Sequence, residues 1–359
     1  MKRRINIWVF FTLCSLVWAA QPFNIHAEPI DPYIQGAQRE GAVTLGVTLR
    51  GRQHGKPAGE LYIDAFQKRY PFLKVTFKRI GGARERERII SEMTAGIINY
   101  DVGTVSETMV STIVSAKLPR ILEWEKLGVS KFLVHPDNVG VTLRTPVFGI
   151  GYNRDLIPDE VAGTFTWETC TDSKWKGKTA IDDRPRHLNR FFMDDAWGPE
   201  KTLDYAKRWA ANQPAIEASR STGASKLAAG AYHMICGMAR QQVKELQIYG
   251  GTTSVGIVFP EPVPVGIGDL IYVPDKAMHP NAGTLFLVWA GSKEAQNLLD
   301  DVNFTGHPAF EGNDINKILK GKKVSYATWE DTARSDYALS EILMAMGVPV
   351  VRSKTKKKK

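Results

Sequence analysis

The N-terminal third of the chain alternates between strand-forming and helix-forming segments. Runs rich in β-branched or alternating apolar residues predict strands at 43–48, 72–80 and 100–105. Helical spacing predicts helices at 60–70, where Pro71 ends the pattern, and at 84–95. Parallel strands need a helical crossover, so this alternation favours a mostly parallel sheet with helices on both faces. The sequence therefore predicts an α/β protein.

The remainder of the chain adds a long extended segment and a second α/β pattern. Residues 141–153 and 253–272 are extended, and an amphipathic helix is predicted at 201–211. A polar loop at 218–223 is followed by a predicted helix at 226–237. Residues 278–298 predict a buried helix with Asn281 as its N-cap and then a more exposed helix that begins at Ser292.

Several blocks of this sequence resemble one protein family. HPNAGTLFLVWAGSKEAQ resembles the hPNAAkLFidWllSkEgQ block of bacterial extracellular solute-binding proteins of the iron-type class. GIGYNRDLIP and SKWKGKTAIDDRP are similar to a further stretch of the same family, and the resemblance extends over roughly residues 41–300. Members of this family are the periplasmic receptors of ABC importers.

The resemblance implies the two-lobed periplasmic-binding-protein fold of type II. Each lobe is then a mixed, mostly parallel sheet flanked by helices, with two hinge crossings and the ligand cleft between the lobes. We assign residues 28–145 and 260–305 to the first lobe. Residues 146–259 and 306–351 are assigned to the second lobe.

The two ends of the chain carry most of its positive charge. The formal net charge is +9, but three cations belong to Lys2-Arg3-Arg4 and six to the segment 352–359. The body therefore has no net formal charge and no basic face for nucleic acid. A basic start, the apolar stretch 7–20 and Ala27 as cleavage site predict a signal peptide at 1–27 and a periplasmic protein. Residues 352–359 are expected to form a basic, disordered tail.

Neither a catalytic constellation nor a cofactor motif is present in the sequence. There is no HExxH, CxxC or P-loop pattern, and the histidines lack ligand spacing, so we expect neither an enzyme nor a cofactor. The residues leave open whether Cys170 and Cys236 pair. We expect a monomer that binds a small-molecule ligand and docks on an inner-membrane ABC permease.

Arginine is frequent in the loops that follow the predicted strands. Open α/β sheets bind ligands at the carboxyl ends of their strands, and the guanidinium fork matches carboxylate or phosphate. Glycine permits close approach of the backbone, and serine supplies neutral donors for an oxyanion. The predicted ligand residues are Arg50, Arg52, His54, Gly82, Arg84, Ser106, Glu107, Arg184, Arg186, Ser219, Arg220, Ser221 and Arg240.

The ferric members of the resembled family suggest a different ligand. Their first-lobe histidine and acidic iron ligands carry over to His54 and Glu107. The tyrosine pair that completes their site does not carry over, because Arg240 and Gln241 stand near that position. We therefore predict a metal-free site for an organic anion, namely a phosphate ester, phosphonate or carboxylate. The alternatives are ferric iron or an iron chelate and, in another class, a ligand-sensing module for a membrane receptor kinase.

Overall fold

The computed structural model describes residues 30–349. The predicted signal peptide and basic tail lie outside this range. The helices are α1 (Asp31–Glu40), α2 (Ala58–Arg69), α3 (Ala83–Thr94), α4 (Val110–Ser115), α5 (Asp159–Ala162), α6 (Arg186–Phe191), α7 (Gly198–Ala211), α8 (Arg220–Ala228), α9 (Arg240–Tyr249), α10 (Pro280–Ala290), α11 (Lys293–Asn303), α12 (Asp314–Leu319) and α13 (Trp329–Ala345). Short 3-10 helices span Glu107–Met109, Trp167–Thr171 and Ser173–Trp175.

The strands follow the alternation that the sequence predicts, with additional short strands in the loops. They are β1 (Ala42–Val47), β2 (Arg52–Gln53), β3 (Lys56–Pro57), β4 (Lys74–Arg79), β5 (Gly103–Ser106), β6 (Val141–Thr142), β7 (Phe148–Asn153), β8 (Thr179–Asp182), β9 (Ala215–Glu217), β10 (Met234–Ala239), β11 (Val255–Val258), β12 (Val263–Val265), β13 (Asp269–Tyr272) and β14 (Val324–Tyr326). No helix of the described residues is long and apolar enough to cross a membrane.

The first lobe is built on β1, β4, β5, β13 and β6. β1 pairs with β4 in parallel, and a parallel bridge joins Leu45 to Val102, just before β5. β13 then lies antiparallel between β5 and β6. Parallel pairing thus connects the strands of the N-terminal alternation, whereas the strand that enters from the later part of the chain is antiparallel.

The second lobe is built on a five-stranded sheet in the order β11-β7-β10-β8-β9. β8 pairs in parallel with β9 and β10, and β7 is antiparallel to β10 and β11. Both lobes therefore have mixed sheets, as predicted, but antiparallel pairings are as frequent as parallel ones in each, so the expectation of mostly parallel sheets is corrected. The two-lobed α/β fold that the sequence predicts is confirmed.

A small apolar cluster joins the two lobes where the chain passes between them. Val147, Val263, Val265, Ile315 and Leu319 are buried together, and we call them the hinge cluster. β12 pairs with β14, and residue 147 bridges to residue 265. The chain passes between the lobes a third time after α11, because α13 packs on α6 and α7. The lobe boundaries predicted from the sequence already place residues 306–351 on the second lobe and agree with this third passage, and they stay predictions.

Helix α10 is buried along most of its length, as its apolar sequence predicts, but its start differs from the prediction. Pro280 occupies the first helical position, so Asn281 is not the N-cap. Glu40 instead accepts the free backbone N–H groups of Asn281 (3.0 Å) and Ala282 (2.8 Å). A carboxylate at this end also complements the helix dipole. Ser292 caps α11, as predicted.

The helix predicted at 226–237 has the wrong bounds. Ser219 caps α8, which begins at Arg220 within the predicted polar loop. Gly230 has a φ of 78° and ends the helical segment, and the residues from Met234 onward form β10. The apolar run after Gly230 is therefore a buried central strand, which periodicity alone does not distinguish from a buried helix.

Cys170 and Cys236 form a disulfide, which the sequence left open. It joins the 3-10 helix at Trp167–Thr171 to β10, and both cysteines are buried in the apolar core of the second lobe. The two cysteines are 66 residues apart in sequence. A crosslink over such a long loop lowers the entropy of the unfolded chain and stabilises the lobe.

Replacing Cys236 by Ser should lower the free energy of unfolding by about 2–4 kcal/mol because the crosslink is lost. Urea unfolding of the oxidised protein and the variant measures this difference. Adding a reductant should destabilise the wild type and leave the variant unchanged. Equal sensitivity of both proteins to the reductant contradicts a structural disulfide.

Candidate ligand-binding cleft

The two lobes meet where polar loops follow the carboxyl ends of their strands. Glu107 lies in the 3-10 helix after β5, and Arg186 is the first residue of α6, which follows β8. Their side chains form an ion pair with 2.7 Å between Arg186 Nη2 and Glu107 Oε1. This contact places the cleft between the strand ends of the two sheets, where open α/β sheets generally bind ligands.

Asp269 is the centre of a buried ion-pair cluster on the first-lobe side. Its Oδ1 lies 3.0 Å from Arg86 Nη1, and its Oδ2 accepts from Arg144 Nε at 2.8 Å. The side chains of Arg86 and Asp269 are 9% and 5% exposed, so these charges have little water around them. Two guanidinium groups on one carboxylate leave this cluster with a net positive charge.

Sequence reasoning missed all three members of this cluster. Arg86 belongs to the charged run that was interpreted as mostly a solvated face. It lies four residues before Ile90 and seven before Met93, however, and this spacing places it on the buried face of α3. Arg144 and Asp269 each interrupt an apolar extended segment, which is the signal that could have identified them.

Three arginines converge on the second-lobe side of the cleft. Arg220 forms an ion pair with Asp182, and Arg186 has Arg220 and Arg184 nearby. Burial lowers the pKa of Arg186, and the two neighbouring cations add to this shift, whereas Glu107 and Asp269 oppose it. Burial alone raises the pKa of the Asp182 carboxyl, but Arg220 and hydrogen bonds outweigh it and hold that pKa below its usual value.

Arginines outnumber their paired carboxylates in one group of residues at the lobe contact. Four arginines share three paired carboxylates, and the seven residues are Arg86, Arg144, Arg186, Arg220, Glu107, Asp182 and Asp269. An excess of guanidinium in a partly dry cleft attracts anions and repels cations. The arrangement is thus suited to a ligand that presents carboxylate or phosphate oxygens.

The predicted first-lobe loop at 50–54 lies at the surface, beside the end of α11. His54 Nε2 is 3.3 Å from Asp301 Oδ2, and both side chains are more than half exposed. Arg52 donates to the carbonyl of Gly55 at 2.7 Å, and Arg50 accepts from Asn303 through its backbone carbonyl. None of these contacts joins the loop to the arginine cluster.

Three other predicted first-lobe residues surround the start of α3 and the end of β5. Gly82 is the N-cap of α3, and Arg84 is exposed in its first turn, without a hydrogen bond or ion pair to any other described residue. Ser106 Oγ lies 3.1 Å from Thr108 Oγ1, beside Glu107. Ser106 and Glu107 thus lie at the ion pair that joins the lobes. The loop at 50–54 also approaches the second lobe, because Arg50 is near Glu245 and the backbone of Arg52 is near the Tyr249 hydroxyl of α9.

On the second lobe, the predicted serines lie beside Arg220 in the first turn of α8. Ser219 is exposed and accepts the backbone N–H of Thr222 at 3.3 Å, and Ser221 is exposed one residue after Arg220. Arg184 is exposed, and its Nε lies 3.7 Å from the carboxylate of Asp183.

Arg240 departs from the predicted role. Its side chain is 2% exposed, and Nη1 lies 2.5 Å from Asp300 Oδ1 and 3.3 Å from the carbonyl of Phe304. Asp300 belongs to α11, and Arg240 begins α9 on the second lobe. The guanidinium is therefore enclosed in an ion pair between the lobes, so we correct its assignment from ligand residue to structural residue.

The two residues carried over as iron ligands have different partners. His54 is paired with Asp301, whereas Glu107 is paired with Arg186. Within residues 30–349 there is no group of three or more His, Cys, Asp or Glu side chains that could hold a metal ion. A bare cation would thus lack a set of such ligands in this part of the chain.

Helix α6 presents Arg186 to the cleft and is fixed by His187 on its inner side. The imidazole is completely buried, stacks on Trp167 with 5.3 Å between ring centroids, and has no hydrogen-bond partner in the described residues. Gly237, with a φ of 81°, allows the ring to approach β10, since a Cβ at this position would lie 1.9 Å from Nδ1. Burial lowers the pKa of His187 to about 3.

Comparison with known proteins identifies the family. Residues 62–310 match the family model of the bacterial extracellular solute-binding proteins. The chain belongs to this family. Proteins of this family bind solutes outside the cytoplasm for ABC transporters. A search of curated proteins found no match.

Solved structures of solute-binding proteins share the fold. The Trichodesmium protein FutA, in complex with iron and citrate, has 20% identity and a TM-score of 0.66, covering 86% of this chain and all of that one. Iron-bound HitA from Pseudomonas aeruginosa has 16% identity and a TM-score of 0.65, covering 85% and 99%. An ABC transporter substrate-binding protein from Agrobacterium tumefaciens has 16% identity and a TM-score of 0.63, covering 86% and 96%.

Replacing Asp269 by Asn should lower the free energy of unfolding by about 3–5 kcal/mol, because the change leaves the buried Arg86 and the partly buried Arg144 without a compensating charge. Asp194→Asn is the matched control, since Asp194 pairs with Arg334 at the surface and should contribute about 1 kcal/mol or less. Urea unfolding compares the two variants. Equal losses would contradict a buried cluster at Asp269.

His187 should make stability depend on pH below neutrality. Its pKa is about 3 in the folded protein, against the ordinary value of 6.5, so the unfolded chain binds the extra proton. The stabilising effect is complete above pH 6.5 and decreases by about 1.4 kcal/mol per pH unit as the pH falls towards 3. Between pH 7.5 and 5, His187→Phe should therefore lose about 2 kcal/mol less stability than the wild type in urea unfolding. An unchanged pH dependence in this variant contradicts the assignment.

Proposed function

We propose that the protein is the periplasmic solute-binding subunit of an ABC importer and that its cargo is an iron(III)–carboxylate chelate. The metal-free organic anion predicted from the sequence is thereby replaced by the iron alternative in its chelated form. The permease partner and the monomeric state stay predictions. The observation that carries the chelate is the group of four arginines that share three carboxylates at the lobe contact.

The iron component is supported by the structural relatives. FutA is described with iron and citrate, and HitA is described as iron-bound. Their sequence identity to this chain is 20% or less, so the likeness concerns the fold, and the cargo must be argued from this chain's residues. These residues decide in which form iron is accepted.

The arginines favour a chelate over a bare ferric ion. Fe(III) is a hard cation that needs anionic oxygen ligands, and the cleft carboxylates Glu107, Asp182 and Asp269 already pair with guanidinium groups. A carboxylate chelator brings its own oxygen ligands to the metal and presents its remaining oxygens outward. Arginine binds such oxygens through two parallel hydrogen bonds.

Capture requires contact with both lobes. Arg86 and Arg144 lie on the first-lobe side and at the crossing, whereas Arg186 and Arg220 belong to the second lobe. A chelate held between these groups draws the lobes together about the hinge cluster. Closure removes water from the cleft, and the hydrogen bonds between charged groups become stronger in the lower dielectric.

A second candidate cargo is a metal-free organic anion. It is favoured by the lack of a group of three or more His, Cys, Asp or Glu ligands among the described residues. The sensor role, in which the loaded protein docks on a receptor kinase, involves the same cleft and differs only in the membrane partner.

The exported protein should bind ferric citrate and retain both iron and citrate. Isothermal titration calorimetry against ferric citrate, citrate alone and Fe(III)-nitrilotriacetate measures binding, and elemental analysis after gel filtration measures the iron retained. Ferric citrate should bind at least tenfold more tightly than citrate, because the chelate presents a preorganised array of oxygens. Equal affinities favour the metal-free anion, and uptake of iron without its chelator contradicts the proposal.

The same titrations locate the site. Arg186→Gln and Arg220→Gln should each weaken ferric citrate by about tenfold or more, since each removes charged hydrogen bonds worth about 1.5–3 kcal/mol. Arg334→Gln is the matched surface control and should have no effect, because its ion pair with Asp194 is exposed. Arg84→Gln tests the sequence prediction and should also have no effect, because the exposed Arg84 side chain forms no ion pair with the described residues.

A further inference from the structure

We infer that Glu107 determines the specificity of the cleft by occupying Arg186 until an anion with more than one carboxylate displaces it. The inference rests on the proposed function and names a residue that selects among anions. In this role Glu107 is an internal competitor of the ligand and not one of the residues that hold it.

The geometry of the pair supports competition. Glu107 presents its Oε1 to Arg186 Nη2 at 2.7 Å, the distance and chemistry with which a ligand carboxylate would bind the same guanidinium. The Glu107 side chain is 12% exposed and that of Arg186 27% exposed. The pair is therefore partly dehydrated, and the interaction is stronger than a surface ion pair.

Arg186 differs from the other three arginines of the cleft in the lobe to which its carboxylate partner belongs. Arg86 and Arg144 share Asp269, and Arg220 pairs with Asp182 of the preceding strand on its own lobe. Only Arg186, among these four, takes its carboxylate from the opposite lobe. Breaking the Glu107 contact thus frees one guanidinium and also one connection between the lobes.

The surroundings of the pair permit the exchange. A cavity borders it on one side and is lined by Glu107, Arg186, Arg190, Ile267, Thr328 and Asp331, among others. Neither partner is thus packed on all sides by apolar groups, and the Glu107 side chain has space to move. Arg184 and Arg220 lie near Arg186, so an incoming anion meets three cations in one region.

The number of charges on the anion then decides whether it displaces Glu107 from Arg186. A monocarboxylate offers Arg186 the same single charge that Glu107 already offers, and it must also lose its translational freedom. A di- or tricarboxylate binds Arg186 and a neighbouring arginine together, so its second contact is effectively intramolecular. The internal carboxylate therefore excludes singly charged anions and admits multiply charged ones.

The experiment compares wild type with Glu107→Gln in titrations with acetate, citrate and ferric citrate. The variant should bind both citrate and ferric citrate about tenfold more tightly, because the competing charge is gone, and its preference for citrate over acetate should decrease. Glu168→Gln is the matched control, since Glu168 pairs with Arg208 at the surface of the second lobe, and its affinities should equal those of the wild type. Weaker binding of ferric citrate by Glu107→Gln would mean that Glu107 holds the cargo, and unchanged binding would mean that it has no role. Either result overturns the inference.

A measurement without ligand separates this inference from the proposed function. If no variant and no wild type binds citrate or ferric citrate, the proposed function fails, and small-angle X-ray scattering of the free protein tests the pair. Glu107→Ala and Arg186→Ala should each increase the radius of gyration, and the charge reversal Glu107→Arg with Arg186→Glu should restore it. Radii of gyration equal to that of the wild type in both single variants overturn the inference.

Discussion

The carboxylate of Asp269 is buried between two arginines that come from distant parts of the chain. Burying an ion in this way is costly unless its partners and hydrogen bonds compensate it. Arg86 contributes from α3, Arg144 contributes from the crossing between β6 and β7, and Arg144 Nη1 also reaches Gln241 Oε1 on α9 at 3.5 Å. The Asp269 carboxylate thus helps to position three segments, namely a first-lobe helix, a crossing segment and a second-lobe helix.

A second buried ion pair constrains the same region from the opposite side. Arg240 and Asp300 join α9 to α11, and the Asp300 carboxylate also accepts the backbone N–H groups of Asp314 (3.0 Å) and Ile315 (3.2 Å) at the start of α12. Burial raises the pKa of Asp300, and Arg240 with these hydrogen bonds acts against that rise. The arginine that sequence comparison placed in the ligand site thus fixes the third passage of the chain between the lobes.

What could be predicted from the sequence depended on local pattern. The strand-helix alternation, the buried α10 and the Ser292 cap follow from spacing within a few residues, and the structure has all of them. The predicted helix at 226–237 was wrong after Gly230, because a buried strand and a buried helix have the same apolar composition. The disulfide and the Asp269 cluster connect residues far apart in sequence, and no local pattern specifies which distant partner a buried charge or thiol will meet.

The site prediction also depended on local position. Arginines were chosen because they lie in loops after strands, yet exposure differs greatly among them: Arg84 lies at the surface, whereas Arg86, two residues later, is buried on the apolar face of α3. Helical spacing would have separated these two, but it could not have paired Arg86 with a residue of β13. A buried ion pair joins two residues that are distant in sequence. It can therefore be identified only when the strands and crossings are assembled.

The paired carboxylates of the cleft also limit the form in which this protein can accept iron. A ferric ion without its own ligands would have to compete with guanidinium groups for Glu107, Asp182 and Asp269, and each carboxylate it gained would leave a partly buried arginine unpaired. A carboxylate chelate avoids this cost, because its outer oxygens can pair with the guanidinium groups. In the proposed function the metal is recognised through the charge of its chelator, and the protein needs no metal ligands of its own.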